Sequence, residues 1–181
     1  SDVNDGKIRL WDVKTGRMRY SYEAPGRAGV GTAYPQKLLA FSPNGKLLLI
    51  ASNDSDKGQS AAKLIDLASG EVLLRLKGSY PSVAFGSDES KLLTSAWDGV
   101  VRIWELPQKK LPQTLKHPSH VWNAQFSPDH RYILTDHFGG ETFLWNAATG
   151  EQICCLKGTR PVGFAPDGKS FLSIRTLYPP T

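Results

Sequence analysis

Residues 98–104 read Asp-Gly-Val-Val-Arg-Ile-Trp, and this stretch decides the fold. Its Asp-Gly pair is typical of a turn, because Gly adopts positive φ without the steric penalty of a Cβ atom. The residues after the turn are β-branched, charged or aromatic, which is the composition of a short β-strand. Residues 5–11 repeat the pattern as Asp-Gly-Lys-Ile-Arg-Leu-Trp, and residues 139–145 repeat it in a weaker form. The stretch therefore belongs to an internal repeat.

Two anchors mark this repeat along the chain. The first is a phenylalanine followed by a turn that reads Ser-Pro-Asp-Gly or a variant of it, and its copies lie 38 to 44 residues apart: Phe41, Phe85, Phe126 and Phe164. The second is a strand that ends in a large apolar residue followed by a polar one, and its copies end at Trp11, Ile65, Trp104 and Trp145. A turn follows each second anchor by five residues, and three of these turns carry glycine: Gly16, Gly70 and Gly150.

The segments between these turns have the length and composition of strands. They are short runs of β-branched, aromatic and leucine side chains, for example residues 46–51, 91–95, 100–106 and 151–156. Runs of this length bounded by Pro, Gly, Asn and Asp predict strands and not helices. We name the strands of one repeat a to d, with the phenylalanine turn between a and b and the glycine turn between c and d. The sequence therefore predicts an all-β fold.

This pattern resembles the WD40-repeat family, and the resemblance covers essentially all 181 residues. It implies a β-propeller, in which four-stranded antiparallel blades are arranged around a common axis. A single four-stranded sheet does not bury both of its faces, so neighbouring blades must cover each other. The anchors expected to supply this packing between blades are Phe41, Phe85, Phe126, Phe164, Trp11, Trp104 and Trp145.

The strand pattern predicts a single propeller domain or propeller fragment over residues 1–181, with about four blade equivalents. Its expected parts are a half-blade at 1–23, complete blades at 36–77, 80–116 and 119–156, and a half-blade at 160–175. The two half-blades are complementary, so pairing them would close a ring of four. Members of the family usually have about seven blades, and we therefore expect a fragment of a longer propeller. Open sheet edges favour pairing with another chain, which predicts self-association.

The resemblance also implies a buried hydrogen-bonded set within a blade, made of a His before strand a, a Ser or Thr on strand b, an Asp in the b–c turn and the Trp of strand c. No blade of this chain carries the whole set. Asp98 stands six residues before Trp104, but Ser79 occupies the matching His position. Asp5 has the same spacing from Trp11. We expect both aspartates to be structural.

The next repeat has the His of this set but lacks the Asp. His117 fits the position nine residues before Phe126, whereas the Asp position is occupied by Gly139. We expect His117 to be structural, with Asp136 as a candidate substitute for the missing Asp. The blades are therefore expected to be divergent and less rigid than those with a complete set.

A binding surface is expected on the rim that carries the d–a and b–c loops. Both insertions of the first complete blade fall there, around 25–35 and 54–60, and functional variation is concentrated in loops on a rigid scaffold. Aromatic and Arg side chains are the usual anchors of interfaces. The residues predicted to bind a peptide or protein are Trp97, His120, Trp122, Phe138, Arg160 and Lys37. The alternative is that Trp97 and Trp122 pack beneath neighbouring loops.

The charge of the chain does not favour a nucleic-acid partner. The net charge is +5, but Lys and Arg are scattered, and the only adjacent pair is Lys109-Lys110. A basic surface for phosphate would use Arg27, Arg160, Lys37 and Lys77. No apolar run approaches the roughly 20 residues of a membrane helix, so no membrane partner is expected.

The sequence contains no nucleophile elbow, phosphate loop, paired catalytic carboxylates or metal signature. We therefore expect a non-enzymatic protein-interaction scaffold without a cofactor. Zinc is a weak alternative that would use His117, His120 and His137. Two further alternatives are a non-catalytic propeller segment of a larger enzyme or kinase, and a propeller enzyme whose site lies in the central funnel. In that funnel the inner strand starts read Lys37, Pro81, Trp122 and Arg160.

The two cysteines, Cys154 and Cys155, are neighbours in the sequence. Neighbouring residues on a strand point to opposite faces, so we expect these two thiols to be reduced and not joined in a disulfide. This favours a cytoplasmic location. The chain does not begin with Met, which leaves room for a preceding targeting signal.

Overall fold

The computed structural model describes residues 7–23, 37–52, 60–77, 82–86, 90–106 and 111–175. Sixteen β-strands and no helix occur within these ranges, which confirms the all-β prediction. Several residues singled out above lie outside the described residues: Asp5, Arg27, Ser79, Pro81, Lys109 and Lys110. The predicted insertions around 25–35 and 54–60 also lie outside them, apart from Ser60.

Twelve of the strands form three four-stranded antiparallel sheets, and each sheet follows the order of the chain. The first blade contains β3 (Lys37–Phe41), β4 (Leu47–Ser52), β5 (Ser60–Asp66) and β6 (Val72–Lys77). The second contains β7 (Ser82–Phe85), β8 (Lys91–Ser95), β9 (Val100–Glu105) and β10 (Gln113–Lys116). The third contains β11 (Val121–Phe126), β12 (Tyr132–His137), β13 (Glu141–Asn146) and β14 (Gln152–Lys157).

The other four strands form a two-stranded sheet on either side of these blades. The leading half-blade pairs β1 (Lys7–Trp11) with β2 (Met18–Glu23), and the trailing half-blade pairs β15 (Thr159–Phe164) with β16 (Phe171–Arg175). The prediction of three complete blades and two half-blades is confirmed, whereas a single domain over the whole of 1–181 stays a prediction. In the described part of the chain β1 and β16 belong to different sheets, so pairing of the half-blades into a ring of four is not observed.

The turns between strands c and d are fixed by an acidic or amide side chain at their first position. In the first blade Asp66 Oδ1 accepts hydrogen bonds from the backbone N–H groups of Ala68 and Ser69, at 2.9 and 2.8 Å. Gly70 closes this turn with φ +77°, a conformation that glycine adopts without strain. Asp12 and Asn146 make the equivalent bonds in the leading half-blade and the third blade. The three c–d turns that begin at Asp12, Asp66 and Asn146 are therefore held by the same kind of side-chain hydrogen bond.

Adjacent blades share their hydrophobic cores, as stacking around an axis requires. One core joins the first and second blades through residues such as Leu49, Leu64 and Trp104. The next joins the second and third blades, and includes Val101 and Ile133. A third core packs the leading half-blade against the first blade. Each sheet therefore covers an apolar face of its neighbour, which is the geometric basis of the propeller fold.

The predicted packing anchors differ in how far they are buried. Trp104 and Trp145 are buried, and Phe85 and Phe126 pack at the edges of the cores between complete blades. Phe164 is half-buried and lies edge-on to Phe171, with 6.1 Å between ring centroids.

For Trp11 and Phe41 the expectation of a buried anchor is wrong. Their side chains are 56% and 57% exposed. The leading half-blade supplies only strands c and d in the described part of the chain, so β1 has no described strand on its other side to cover Trp11. The described strands of that half-blade likewise include no inner strand that could cover Phe41.

None of the described residues lies in a helix long and apolar enough to cross a membrane.

Candidate functional site

Four of the residues predicted to bind a partner form one continuous cluster. The rings of Trp97 and Trp122 meet edge-to-face with 5.2 Å between centroids, and Trp97 also lies 5.4 Å from the ring of His120. Phe138 extends the cluster from Trp122, at 6.3 Å. We call Trp97, His120, Trp122 and Phe138 the aromatic patch. It spans the b–c turns of the second and third blades and the d–a connection between them.

The patch is open to solvent although it consists of large apolar rings. Trp97 is 38% exposed, Trp122 37% and Phe138 66%. An exposed group of aromatic rings on one rim is unusual for a soluble surface and marks sites of interaction. The placement of the four side chains agrees with the prediction from sequence, while their role in binding stays a prediction.

A β-bulge in strand β11 aims Trp122 outward. Val121 pairs with His137 and Asn123 pairs with Asp136, which leaves Trp122 as the extra residue between two pairs. Trp122 and Asn123 are therefore both exposed, although residues next to each other on a regular strand point to opposite faces. The bulge presents the indole at the rim while Val121 stays in the core.

The d–a connection that carries His120 is tied to the second blade by backbone contacts. The N–H of His117 donates to the carbonyl of Gly99 at 2.9 Å. Gly99 has φ +78°, and a Cβ atom there would lie 3.1 Å from the carbonyl oxygen of Ser119. His120 Nδ1 forms a hydrogen bond with the backbone carbonyl of Trp97. Only glycine allows this close approach, so Gly99 fixes the spacing between the two halves of the patch.

The same connection is tied to the third blade through a buried series of hydrogen bonds. The indole N–H of Trp145 donates to Thr135 Oγ1 at 2.9 Å, and that hydroxyl lies 2.7 Å from His117 Nε2. The Thr135 hydroxyl therefore bridges Trp145 and His117. Burial and the neighbouring His137 lower the pKa of His117 to about 4, although the backbone carbonyls of Leu115 and Gly99 oppose the shift. His117 is structural in its geometry and neutral at physiological pH.

The idea that Asp136 replaces the missing Asp of this set is wrong. His117 Nδ1 is buried without a hydrogen-bond partner, and Asp136 instead faces the trailing half-blade. Its Oδ2 lies 3.9 Å from Arg160 Nε, and burial raises the pKa of its carboxyl group, although Arg160 and His137 lower it. Asp136 lies next to His137 on strand β12, so the two side chains leave the strand on opposite faces.

A second hydrogen-bonded series supports the patch, and the sequence analysis missed it. The Ser119 hydroxyl lies 2.9 Å from His137 Nδ1, and the N–H of Gly139 donates to the same nitrogen. His137 Nε2 lies 2.8 Å from Glu141 Oε2. Because Nδ1 accepts from Gly139, the proton is on Nε2 and donates to Glu141. A His–Glu spacing of four residues across a b–c turn is the only signal for it in the sequence.

In the second blade the buried pair is Trp104 and Thr94, with the indole N–H 3.0 Å from Thr94 Oγ1. Asp98 does not join a buried set. Its side chain is 48% exposed, accepts a hydrogen bond from the Val100 N–H at 3.0 Å and forms an ion pair with Arg102 at 2.6 Å, so its role is local to the turn. The residue it would contact in a complete set is a histidine, which this blade lacks in sequence.

The two cationic residues predicted for the binding surface are not part of the patch. Arg160 is half-buried at the start of strand β15 and faces Asp136. Lys37 begins strand β3, and its side chain lies outside the described residues. Their roles in binding stay predictions.

The described residues contain no group of three or more His, Cys, Asp or Glu side chains that could hold a metal ion. The three histidines considered for zinc have separate partners, which are Thr135 for His117, the Trp97 carbonyl for His120, and Ser119 with Glu141 for His137. Cys154 and Cys155 are both free thiols on strand β14.

Comparison with known families agrees with this architecture. The family described as WD domain, G-beta repeat matches residues 70–105 and 109–146. Each match starts before strand a of one blade and ends with its strand c, so it contains the buried Trp–Thr pair described above. The chain belongs to the WD40-repeat family.

Several known proteins are similar to this chain along most of its length. The periodic tryptophan protein 2 homolog of Schizosaccharomyces pombe is 26% identical over 143 residues, covering 76% of this chain and 16% of that protein. Apoptotic protease-activating factor 1 of Rattus norvegicus is 26% identical over 190 aligned positions, covering 96% and 14%. WD repeat-containing protein SL1-17 of Schistosoma mansoni is 31% identical over 132 residues, covering 72% and 40%. The chain thus spans less than half the length of each of these relatives.

Proposed function

We propose that this chain is a non-enzymatic protein-interaction scaffold that binds a peptide or protein segment at the aromatic patch. The observation that carries the proposal is that Trp97, Trp122 and Phe138 are exposed and yet in contact across two blades. Tryptophan side chains supply large contact areas and are enriched among the residues that dominate binding energy.

The construction of the patch supports binding by a preformed surface. Its rings lie on turns and on a bulged strand, and hydrogen bonds through Gly99, Ser119 and His137 tie these segments together. Ring contacts restrict the side chains further. A partner would therefore lose little free energy in ordering the site, which favours affinity for a given buried area.

The alternative is that Trp97 and Trp122 only pack beneath neighbouring loops. More than a third of each residue remains exposed, and each ring contacts other members of the patch. A purely structural role would leave this apolar surface in water at a cost in free energy. Partner binding gives the exposure a physical reason.

The proposal is tested by selecting peptides from a random displayed library on the purified chain and measuring their affinity by calorimetry. Trp122→Ala is expected to weaken a selected peptide at least about tenfold, or about 1.4 kcal/mol. The matched control is Trp11→Ala, which removes an exposed tryptophan outside the patch and should leave affinity unchanged. Equal affinity for the parent and Trp122→Ala chains would refute the proposal.

The series Ser119–His137–Glu141 also invites an enzymatic interpretation, because a hydroxyl, an imidazole and a carboxylate in sequence can activate a serine. In this chain His137 Nδ1 already accepts from the Gly139 N–H, so its lone pair is shared and is not reserved for Ser119. We assign the series to positioning the patch. Covalent labelling of Ser119 by a fluorophosphonate probe would reverse this assignment.

A non-catalytic role within a larger enzyme or kinase, and a cytoplasmic location, stay predictions. They are tested by the complete reading frame and by imaging of the tagged full-length protein.

A further inference from the structure

The aromatic patch carries two indole N–H groups that no described residue accepts. In the second and third blades the indoles of Trp104 and Trp145 each donate to a buried threonine. The indole nitrogens of Trp97 and Trp122 have no such partner among the described residues, and neither nitrogen is buried. The patch therefore presents two hydrogen-bond donors to solvent beside exposed ring surface.

The acceptors of the patch are mostly occupied. The backbone carbonyl of Trp97 accepts a hydrogen bond from His120 Nδ1, and the carbonyl of His120 accepts from the N–H of Phe138 at 2.8 Å. Because a carbonyl oxygen cannot donate, the proton of the neutral His120 ring is on Nδ1, and Nε2 is the acceptor that the four side chains of the patch offer. The side chains of the patch therefore offer more donors than acceptors.

This excess of donors does not suit a segment with ordinary backbone. Each non-proline residue brings an N–H group that needs an acceptor when it leaves water. Proline has no backbone N–H, but its carbonyl oxygen still accepts hydrogen bonds. A proline-rich segment therefore supplies acceptors for the two indoles and leaves few donors of its own unsatisfied.

The charged side chains that lie near the patch in the chain are already paired. Asp98 forms an ion pair with Arg102 at 2.6 Å, and Glu141 Oε2 lies 2.8 Å from His137 Nε2. A cationic ligand would therefore meet the faces of the rings, while both of these carboxylates are engaged elsewhere. This arrangement of charge favours a ligand that is neutral where it touches the patch.

The spacing of the rings matches a polyproline II helix. The ring centroids of His120, Trp97, Trp122 and Phe138 follow one another at 5.4, 5.2 and 6.3 Å. Polyproline II rises about 3.1 Å per residue, so two of its residues cover roughly 6 Å. Each ring would therefore stand beside about every second residue of such a segment. The conformation has no internal hydrogen bonds, so its carbonyl groups remain available to the indoles.

We propose that the segment bound at the aromatic patch is a proline-rich stretch of a partner protein in the polyproline II conformation. Its pyrrolidine rings pack on the indoles of Trp97 and Trp122, and its backbone carbonyls accept from the two indole N–H groups. This assignment rests on the proposed peptide site and names the chemistry of its partner. A preformed segment that meets a preformed surface also loses little conformational entropy on binding.

The probe for this assignment is a capped oligoproline peptide of about ten residues, which has the polyproline II conformation before it binds. Calorimetry measures its affinity for the 181-residue chain. The control is the mirror-image peptide made of D-proline, which has the same composition and apolar area but the opposite helical hand. The L-proline peptide is expected to bind at least about tenfold more tightly. Equal affinities of the two peptides would overturn the proposal.

Two variants of Trp122 separate the hydrogen bond from the ring contact. Trp122→Phe keeps an aromatic face and removes the indole N–H, so it should weaken binding of the oligoproline peptide roughly three- to tenfold. Trp122→Ala removes both and should weaken binding further. Trp11→Ala is the matched control outside the patch and should leave the affinity unchanged. An affinity that is unchanged in both Trp122 variants, with the circular dichroism spectrum of the parent, would overturn the proposal.

Selection from the random displayed library distinguishes this proposal from the proposed function. Selected peptides that depend on Trp122 and are enriched in proline support both. Selected peptides that depend on Trp122 but lack proline, and that the oligoproline peptide does not displace, overturn the proline-rich assignment and leave the peptide site in place. A lysine-rich peptide that binds more tightly than the oligoproline peptide has the same meaning. Selected peptides whose affinity is unchanged by Trp122→Ala overturn both.

Discussion

The indole N–H of Trp104 donates a hydrogen bond to the hydroxyl of Thr94, and both residues are buried in the core that joins the first and second blades. Trp145 and Thr135 repeat this relationship in the third blade. Each pair links strand c to strand b within a blade while the indole packs in a core shared with a neighbouring blade. The tryptophan side chain therefore stabilises both the sheet of its own blade and the packing between neighbouring blades.

Trp104→Ala is expected to lower the free energy of unfolding by about 3 to 5 kcal/mol, because it leaves a large cavity in a close-packed core. Trp11→Ala is the matched control and should change stability by no more than about 0.5 kcal/mol, since Trp11 is 56% exposed. Urea unfolding of dilute samples measures both. Equal losses in the two variants would contradict the division of the tryptophans into buried and exposed anchors.

Thr94→Val tests the hydrogen bond without changing the volume of the core. The substitution leaves the buried Trp104 N–H without an acceptor, which is expected to cost about 1 to 3 kcal/mol. Thr94→Ser keeps the hydroxyl and should lose less stability than Thr94→Val. Equilibrium unfolding followed by tryptophan fluorescence compares the two variants. A lower free energy of unfolding for Thr94→Ser than for Thr94→Val would argue against the hydrogen bond.

Gly99→Ala is expected to be more harmful than Gly16→Ala. Both glycines have positive φ, so both substitutions introduce a backbone strain of roughly 1 to 2 kcal/mol. At Gly16 a Cβ atom meets nothing within 4 Å, whereas at Gly99 it would crowd the Ser119 carbonyl. Gly99→Ala should therefore lose additional stability and weaken peptide binding at the aromatic patch. Thermal melting and calorimetry provide the two readouts, and identical melting of the variants would contradict the close approach.

Acid is expected to destabilise the chain through His117. Its pKa falls from 6.5 to about 4 on folding, so between these values the unfolded chain binds the proton more readily. Stability should therefore fall as the pH drops below about 6.5 and level off near 4, by up to about 3 kcal/mol. Asp136 works in the opposite sense, because its pKa is raised in the folded chain and acid relieves its burial.

The control for this pH dependence is His117→Gln, which removes the titrating group and keeps a polar side chain. The free energy of unfolding of this variant should depend less on pH over the same interval. A parallel pH profile for the variant and the parent would assign the acid effect to other groups.

The hydrogen bonds among Ser119, His137 and Glu141 are expected to hold the d–a connection, and with it the aromatic patch, in place. Glu141→Ala removes the acceptor for the buried His137 N–H and should cost about 1 to 3 kcal/mol, whereas Glu141→Gln retains an acceptor oxygen and should lose less. Hydrogen exchange of the amides at 117–120 should accelerate in the alanine variant. If exchange there is unchanged while global stability falls, the series supports the blade and not the patch.

The sequence was sufficient to predict the strands, their order and the rim on which Trp97 and Trp122 lie. These features follow from turn residues and from the repeat, which are local and periodic signals. The exposure of Trp11 was not predictable from its own repeat, because it depends on which strands stand beside β1. The hydrogen bond between Ser119 and His137 was also not predictable, because it depends on how close the two loops lie in space.

The misplacement of Asp136 has a simpler cause. Its position in the chain is compatible with a contact to His117, but side chains alternate along β12, and Asp136 therefore projects toward Arg160. The spacing along the sequence places Asp136 close to His117, but Asp136 lies on the opposite face of β12. The alternation of side chains along β12 is sufficient to separate Asp136 from His117, which contacts Thr135 on the other face.

The bulge at Trp122 separates the orientation of an exposed ring from the packing of the core beside it. One additional residue in β11 reorients an indole without disturbing the core positions on either side of it. Gain or loss of a single residue in this strand would therefore change which side chain projects from β11 into the aromatic patch.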